Sequence, residues 1–154
     1  MNMMKWDLRF LKLAEHISTW SLDPSTKCGS VIVDNKNRLI SVGFNGFPRG
    51  ISDDERLHNR EKKLRIVQHA ESNAILFSNV SLEGCTLYCW PFSPCGQCAG
   101  RIIQSGIKWV KFPVCDDREK LNRWADEFML ASDLFKEANI RVVKYDMEKL
   151  TSLS

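Results

Sequence analysis

The sequence predicts an α/β protein with three layers, α/β/α, in which helices cover both faces of a mixed five-stranded sheet. Three observations lead to this fold: an amphipathic helix near the start, a β-hairpin after it, and strands that alternate with helices from there onward. A hairpin followed by repeated strand and helix units implies a mixed, largely parallel sheet. The length of 154 residues suits a single domain that spans residues 1–154.

The first half of the chain supplies one helix and two strands. Apolar residues at helical spacing predict the helix, which the segment DPST ends: Trp6, Phe10, Leu13, Ala14 and Ile17. Residues 28–34 and 38–44 are rich in β-branched side chains and are joined by the turn-prone NKN, which predicts a hairpin. The glycine and proline loop GFNGFPRG follows. The polar stretch 51–65 then predicts a solvated loop and the start of a helix.

The second half alternates helices and strands. Helices are predicted for residues 69–78, for residues 94–106 with a glycine at the end, and for the segment whose apolar face contains Leu121, Trp124, Phe128, Ala131 and Phe135. Strands are predicted for residues 85–90, 107–114 and 140–145. Ligands of such sheets gather where strands end and helices begin, and the segments HAE and SPCGQC lie at junctions of this kind.

Charge and cysteine content restrict the class of protein. The formal charge of +3, from 22 basic and 19 acidic residues, lacks the strong field of a dedicated duplex-binding protein, so nucleic acid is not an expected partner. A mildly basic surface suits a phosphorylated small molecule. The first ten residues lack the apolar run of a signal peptide, and we find no apolar stretch of about 20 residues for a membrane span. We therefore expect a cytoplasmic protein whose six cysteines are not paired in disulfides.

Two of the cysteines form a CxxC motif at the start of a predicted helix. Pro94 is well placed to open this helix, so Cys95 and Cys98 should lie one turn apart on the same face. The positive end of the helix dipole favours thiolate, the form that binds metal. A redox pair or two packed cysteines would show the same motif, so CxxC alone does not identify a zinc site.

His69 and Glu71 extend this motif to a catalytic pattern. His69 also lies at the start of a predicted helix, with Glu71 two residues later. His69, Cys95 and Cys98 supply three ligands, whereas a structural zinc normally takes four, so the fourth position would remain open for water. A capping histidine beside two core cysteines is the alternative. The spacing HxE followed by PCxxC is the signature of zinc-dependent deaminases, in which the glutamate carries protons and does not bind zinc.

These residues, His69-Ala70-Glu71 and Ser93-Pro94-Cys95-Gly96-Gln97-Cys98, resemble the cytidine and deoxycytidylate deaminase superfamily. The segments DPSTKCGSVIV, GFNGFPRG, HAESNAIL and CAGRIIQSGIKWV are similar to the deoxycytidylate (dCMP) branch, and the resemblance spans roughly residues 5 to 114. It implies the cytidine-deaminase-like form of the fold predicted above.

The resemblance also implies an activity. It indicates hydrolysis of dCMP to dUMP and ammonia, which would supply dUMP for thymidylate synthesis. A catalytic zinc lowers the pKa of water toward neutrality. Glu71 would take a proton from that water, pass it to ring N3 as C4 is attacked, and later protonate the departing amine. The family is often hexameric, so a homo-oligomer is expected.

Further site residues are carried over from the resemblance. The backbone of Ala70 and Ser93 would bind the pyrimidine edge, Asn45 would contact the sugar, and Phe77 would lie near the base. Phe77 could instead belong to the core, and Asn45 beside a glycine could simply tolerate a tight turn.

The phosphate and regulatory sites are less defined. Relatives carry an Arg or Lys near the positions of Asn79 and Val80, where this chain has no charge. Lys27, Arg49 or a neighbouring subunit could replace that group. GFNGFPRG resembles a loop that binds an allosteric nucleotide in regulated relatives. The resemblance therefore implies a site for dCTP or dTTP with Mg²⁺ that includes Lys27, Gly46, Phe47 and Arg49, whereas a simple strand-to-loop turn is the alternative.

Other functions remain open on sequence grounds. A deaminase of free cytidine or deoxycytidine, or of adenosine in tRNA, shares the HAE and PCxxC core, although a tRNA enzyme should carry a stronger basic rim. A zinc-binding regulatory module without turnover would retain the metal, but it would have no use for Glu71. A thiol-redox protein would use Cys95 and Cys98 alone.

Overall fold

The computed structural model describes residues 3–152, and its elements alternate in the predicted order. They are α1 (Met3–Ser18), β1 (Gly29–Val33), β2 (Leu39–Phe44), a 3₁₀ helix (Glu55–His58), α2 (Arg60–Ile66), α3 (Ala70–Leu76), β3 (Thr86–Trp90), α4 (Gly96–Ser105), β4 (Trp109–Pro113), α5 (Arg118–Glu137), β5 (Arg141–Tyr145) and α6 (Met147–Ser152). No helix within this part of the chain has the length and apolar character needed to cross a membrane.

The five strands form one mixed sheet in the order β2-β1-β3-β4-β5. β1 pairs antiparallel with both β2 and β3, whereas β3–β4 and β4–β5 are parallel. The mixed five-stranded sheet is confirmed, but the expectation of a largely parallel sheet is wrong, since only half of these pairings are parallel. β2 and β3 do run in the same direction, as a strand-helix-strand unit requires. However, β1 lies between them, so an antiparallel β1–β3 pairing takes the place of a parallel β2–β3 pairing.

Helices cover both faces of the sheet, which confirms the three layers. The period of two along each strand divides the core: Leu87 and Cys89 of β3 join a cluster with α3, α4 and α5, whereas Tyr88 joins a cluster with α1 and α6. We call the first side the α3/α4 face and the second the α1 face. Each cluster is apolar and buried, so the sheet is held from both sides by the hydrophobic effect.

Gly43 of β2 allows α3 to lie directly against the hairpin. A Cβ at this position would lie 2.4 Å from the carbonyl oxygen of Ala70 and 2.5 Å from the amide nitrogen of Ala74, closer than atoms can pack. Ser41, two residues away on the same face, donates a hydrogen bond to the Ala74 carbonyl at 2.7 Å. The position of α3, and thus of the residues at its start, is fixed by backbone contact with β2.

The polar stretch 51–65 contains more structure than predicted. Asp54 caps the 3₁₀ helix and Asn59 caps α2, each by accepting a hydrogen bond from a backbone N–H two or three residues later. The helix start was predicted, but the burial of Lys63, whose side chain is only 4% exposed, was not.

Candidate active site

The three predicted ligands converge where α3 and α4 begin. His69 is the N-cap residue of α3 and Cys95 the N-cap residue of α4, while Cys98 lies in the first turn of α4. The Nδ1 atom of His69 lies 3.4 Å from Cys95 Sγ and 3.3 Å from Cys98 Sγ. Among residues 3–152, this is the group of three metal-ligating side chains whose ligand atoms all lie within 4.8 Å of one another. We call it the ligand triangle.

The ligand triangle has the dimensions of a zinc site. Zn–N and Zn–S bonds of about 2.0 and 2.3 Å in tetrahedral geometry place the nitrogen and sulfur atoms roughly 3.5 Å apart. The two observed N···S distances of 3.3 and 3.4 Å are close to this value. One imidazole and two thiolates are the ligands that zinc prefers, and three protein ligands leave one coordination position for solvent or substrate. The residues therefore fit a catalytic zinc.

The charges of the ligand triangle also favour a cation. The hydrogen bond from Cys98 lowers the pKa of the Cys95 thiol to about 4, and the same hydrogen bond raises the pKa of Cys98. The shifts are opposite because two adjacent thiols cannot both ionise without a counter-charge. The hydrogen bond with Cys95 raises the pKa of His69, although burial acts against this. A divalent cation between the three groups would supply the missing charge and stabilise both thiolates.

Glu71 lies beside the ligand triangle in the first turn of α3. It is only 7% exposed, and burial raises the pKa of its carboxyl group, an effect that the nearby His69 partly offsets. A carboxyl group with a raised pKa can both accept and donate a proton near neutral pH. The position of Glu71 and the raised pKa of its carboxyl group thus suit it to transfer protons to and from a substrate bound beside the ligand triangle.

A cleft of about 690 Å³, including its open mouth, leads to these residues. His69, Glu71 and Cys95 line it together with the apolar side chains of Phe92, Trp124 and Phe128. Trp124 and Phe128 belong to α5, and Glu127 of the same helix accepts a hydrogen bond from the Gly96 N–H at 3.0 Å. This bond attaches α5 to the start of α4, so the wall of the cleft and the metal-binding turn form one unit.

Three of the four predicted substrate residues line the cleft: Asn45, Ala70 and Ser93. The Asn45 side chain also holds the loop before β1, because its Oδ1 accepts from the Cys28 N–H at 2.8 Å and its Nδ2 donates to the Thr26 carbonyl at 2.9 Å. Asn45 thus lines the cleft and also braces a neighbouring loop through its side chain, and its backbone does not adopt the left-handed conformation of a tight turn.

Phe77 does not lie in the cleft. It is the C-cap residue of α3, about 12 Å along the helix from His69. Its ring is half exposed and lies under Arg49, whose Cζ is 5.4 Å from the ring centroid. The prediction that Phe77 lies near the base is therefore not supported by its position in this chain, and neither is the alternative of core packing.

The predicted regulatory residues lie outside the cleft as well. Lys27 is exposed between two residues that line it. Gly46 forms a β-bridge with Gln68, and the Phe47 ring lies 5.8 Å from the Arg56 guanidinium. The loop that contains Gly46, Phe47 and Arg49 is thus held near the sheet edge.

Several residues of the cleft were not predicted. Lys63 donates to Asp23 Oδ1 and to Ser25 Oγ, both at 2.9 Å, and this ion pair is buried in the cleft wall. Arg60 of α2 and Arg123 of α5 add two guanidinium groups to the lining. Their sequence context, charged runs on helices, is typical of solvated faces, so it carries no signal for a binding site.

Comparison with known proteins adds independent information. A family model described as the cytidine and deoxycytidylate deaminase zinc-binding region matches residues 4–114. A deaminase from the luxG 3′ region of Aliivibrio fischeri is 44% identical over 138 residues, which cover 90% of this chain and 92% of that protein. A probable deoxycytidylate deaminase of Caenorhabditis elegans is 41% identical over 132 residues. The match covers 82% of this chain but only 66% of the nematode protein.

Solved structures agree with this family. The apo crystal structure of dCMP deaminase from cyanophage S-TIM5 superposes with a TM-score of 0.71 at 26% identity, covering 92% of this chain and 98% of the phage chain. A crystal structure of the same enzyme in complex with dCMP and dUMP superposes with a TM-score of 0.67, covering 89% of this chain. The order of strands and helices described above is therefore that of a known enzyme fold.

Proposed function

The chain belongs to the cytidine and deoxycytidylate deaminase family, and we propose that it hydrolyses dCMP to dUMP and ammonia. The observation that carries this proposal is that His69 and Cys95 of the ligand triangle line one cleft together with Glu71. The cyanophage enzyme that shares the fold binds dCMP and dUMP, which supports the choice of substrate. In a cell, the product would feed thymidylate synthesis.

The reaction divides between the metal and Glu71. Zinc, when bound by His69, Cys95 and Cys98, supplies a water molecule of lowered pKa. The Glu71 carboxylate takes a proton from the attacking water and delivers it to N3 of the ring as the C–O bond forms at C4. It then transfers a second proton, from the new C4 hydroxyl group to the amine, so that the C–N bond breaks and ammonia leaves. The raised pKa of Glu71 suits both transfers.

Backbone and side-chain groups of the cleft would orient the nucleoside. The first N–H groups of a helix have no acceptor within the helix, so the N–H of Ala70 in the first turn of α3 is available to the pyrimidine edge. Ser93 would supply backbone contact on the other side of the ring. The Asn45 Nδ2 group has a second hydrogen beyond the one given to Thr26, and this hydrogen would contact the sugar.

The 5′-phosphate would lie against Arg60 and Arg123. Lys63 also lines the cleft, but its charge is balanced by Asp23. Within residues 3–152, Arg123 forms an ion pair with the exposed Glu119, a contact of low energy that a phosphate could replace. Guanidinium groups match phosphate oxygens well, and two of them would balance its charge. These residues replace Lys27 and Arg49 as our candidates.

A substrate panel tests the proposed activity. Zinc-loaded protein is incubated with dCMP, CMP, deoxycytidine, cytidine and dCTP, and ammonia release and loss of the cytosine absorbance are followed. We expect the highest kcat/KM with dCMP. Faster turnover of deoxycytidine than of dCMP would contradict a nucleotide substrate, and absence of turnover with the whole panel would contradict the function.

Replacing both Arg60 and Arg123 with Ala tests the phosphate site. Each lost charge-assisted contact should raise KM for dCMP about tenfold, while kcat/KM for deoxycytidine stays unchanged because this substrate has no phosphate. Arg65→Ala, which removes an exposed arginine of the same helix outside the cleft, is the matched control. An equal loss with both substrates would exclude a specific phosphate contact.

We further propose that the protein self-associates and responds to nucleotides. Exposed apolar side chains near the β2 edge and the end of α3 support self-association: Trp20, Leu39, Phe44, Leu76, Phe77 and Val80. Light scattering would give the mass and test for a hexamer. A regulatory dCTP or dTTP with Mg²⁺ near Lys27, Gly46, Phe47 and Arg49 predicts activity curves that shift with either nucleotide; unchanged curves at all substrate levels would contradict it.

A cytoplasmic location is also proposed. All six cysteines are free, which is the state expected of thiols in a reducing compartment.

A further inference from the structure

The two cysteines of the ligand triangle are stabilised by different groups. Cys95 Sγ accepts from the Cys98 backbone N–H at 3.5 Å, which is the ordinary capping contact of a helix start. Cys98 is fully buried, and its Sγ lies 3.6 Å from the Oγ of Ser72 on α3. Ser72 is itself only 4% exposed, so solvent does not compete for this contact.

Arg101 determines the direction of the hydrogen bond between Ser72 and Cys98. Its Nη1 lies 3.2 Å from Ser72 Oγ. A guanidinium group has donors but no acceptor, so Ser72 Oγ must accept from Arg101. The single hydroxyl hydrogen of Ser72 is then left for Cys98 Sγ. Arg101 follows Cys98 by three residues on α4 and therefore lies on the same side of the helix.

We infer that Ser72 and Arg101 are positioning residues that hold Cys98 in its ligating orientation and spread its negative charge from Sγ through the hydroxyl group to the guanidinium. Two thiolates cancel the charge of Zn²⁺, so donation from each sulfur controls how strongly the metal polarises its fourth ligand. A hydrogen bond to sulfur reduces that donation and at the same time fixes the ligand. Partners of this kind around a metal ligand typically change metal affinity 10- to 100-fold.

Zinc affinity and a spectroscopic signature test this inference. The variants are Ser72→Ala, Arg101→Gln and their combination, with Arg65→Gln on the surface of α2 as the matched control for a lost arginine. Zinc affinity is measured by competition with a chromophoric chelator, and Co²⁺-loaded protein reports the thiolate-to-metal charge-transfer band. Neither measurement needs a substrate, so a failure here is distinguishable from a failure of the proposed deamination.

We expect Ser72→Ala to weaken zinc binding about tenfold, because Cys98 is no longer held in its ligating orientation. The cobalt band should move to longer wavelength, because the sulfur loses a hydrogen bond and donates more strongly to the metal. Arg101→Gln should act in the same direction but less strongly. The double variant should be no worse than Ser72→Ala, since Arg101 acts through Ser72. Ser72→Thr, which keeps the hydroxyl group, should restore the band.

Two results would overturn the inference. If Ser72→Ala and Arg101→Gln match Arg65→Gln in both affinity and band position, the contact has no effect on the metal site. If their losses add in the double variant, Arg101 acts independently of Ser72 and the relay is wrong. Should Ser72→Ala fail to fold, Arg101→Gln decides alone: unchanged affinity and an unchanged band would reject the relay.

Discussion

Both faces of the sheet bury charged groups, but they satisfy them differently. On the α1 face, the Asp7 carboxylate is 1% exposed and accepts from Lys111 Nζ at 2.9 Å, from the Tyr88 hydroxyl at 2.6 Å and from the Tyr145 hydroxyl. On the α3/α4 face, Glu71 is also buried, but beside the ligand triangle and an open cleft.

The difference separates a structural cluster from a functional one. The Asp7 cluster is closed, because the protein supplies a cation and two hydroxyl groups for one carboxylate. The ligand triangle is open, because three ligands facing one another need a cation that the chain does not contain, and Glu71 faces space for a substrate. Perturbed titratable groups mark functional sites when they line a cleft, whereas networks closed by protein atoms perturb pKa values without catalysis.

The largest expected effect is the loss of kcat in Glu71→Gln, on the α3/α4 face. The amide retains size and hydrogen-bonding capacity but cannot carry a proton, so kcat should fall roughly 10²- to 10⁴-fold. Zinc content and the free energy of unfolding should not decrease, because burial already opposes the charged carboxylate. Steady-state kinetics, metal analysis and urea unfolding measure the three quantities. Full activity of this variant would remove Glu71 from the mechanism.

Asp7→Ala should lower the free energy of unfolding and leave kcat unchanged, the opposite of Glu71→Gln. It leaves the ammonium group of Lys111 buried without its partner, which costs about 3–5 kcal/mol of unfolding free energy. At a temperature where the variant is folded, kcat should equal that of the wild type, because α1 covers the other face of the sheet. Asp126→Ala, an exposed carboxylate on α5, is the control and should change stability little. A large kcat loss in Asp7→Ala would show that the faces are coupled.

Tyr88→Phe should give a smaller effect on the same cluster. The lost hydrogen bond to the charged Asp7 costs about 1.5–3 kcal/mol near neutral pH. Burial, and then the Asp7 contact, raises the pKa of Tyr88 in the folded protein. Its stabilisation is therefore complete below the tyrosine pKa of the unfolded chain, about 10, and is lost as the pH rises beyond it.

Urea unfolding at increasing alkaline pH measures this dependence. Above about pH 10, the free energy of unfolding of the wild type should fall more steeply than that of Tyr88→Phe. The two curves of stability against pH should therefore converge. Parallel curves would contradict the raised pKa. Burial also raises the pKa of Tyr145, so Tyr88→Phe should retain part of the alkaline loss.

The same comparison explains what the sequence could predict. The sequence could place His69, Glu71, Cys95 and Cys98 near one another because they lie at helix starts, where local spacing and capping rules apply. Asp7 and Lys111 are 104 residues apart, and each interrupts an apolar pattern with one charge that looks solvated. The burial of Lys63 was not predicted for the same reason. This residue lies in the charged run REKKLR, and its partner Asp23 lies 40 residues earlier. Partners chosen by tertiary packing leave no local signal.

The N-cap position of His69 has a consequence for local unfolding. This side chain makes no capping hydrogen bond to α3, a contact typically worth about 1 kcal/mol, because its ring is directed to the two cysteines. α3 has only seven residues, too few for a stable isolated helix. A metal bound by His69 would hold this N-cap residue in place, so amide exchange in α3 should be slower in zinc-loaded protein than in metal-free protein.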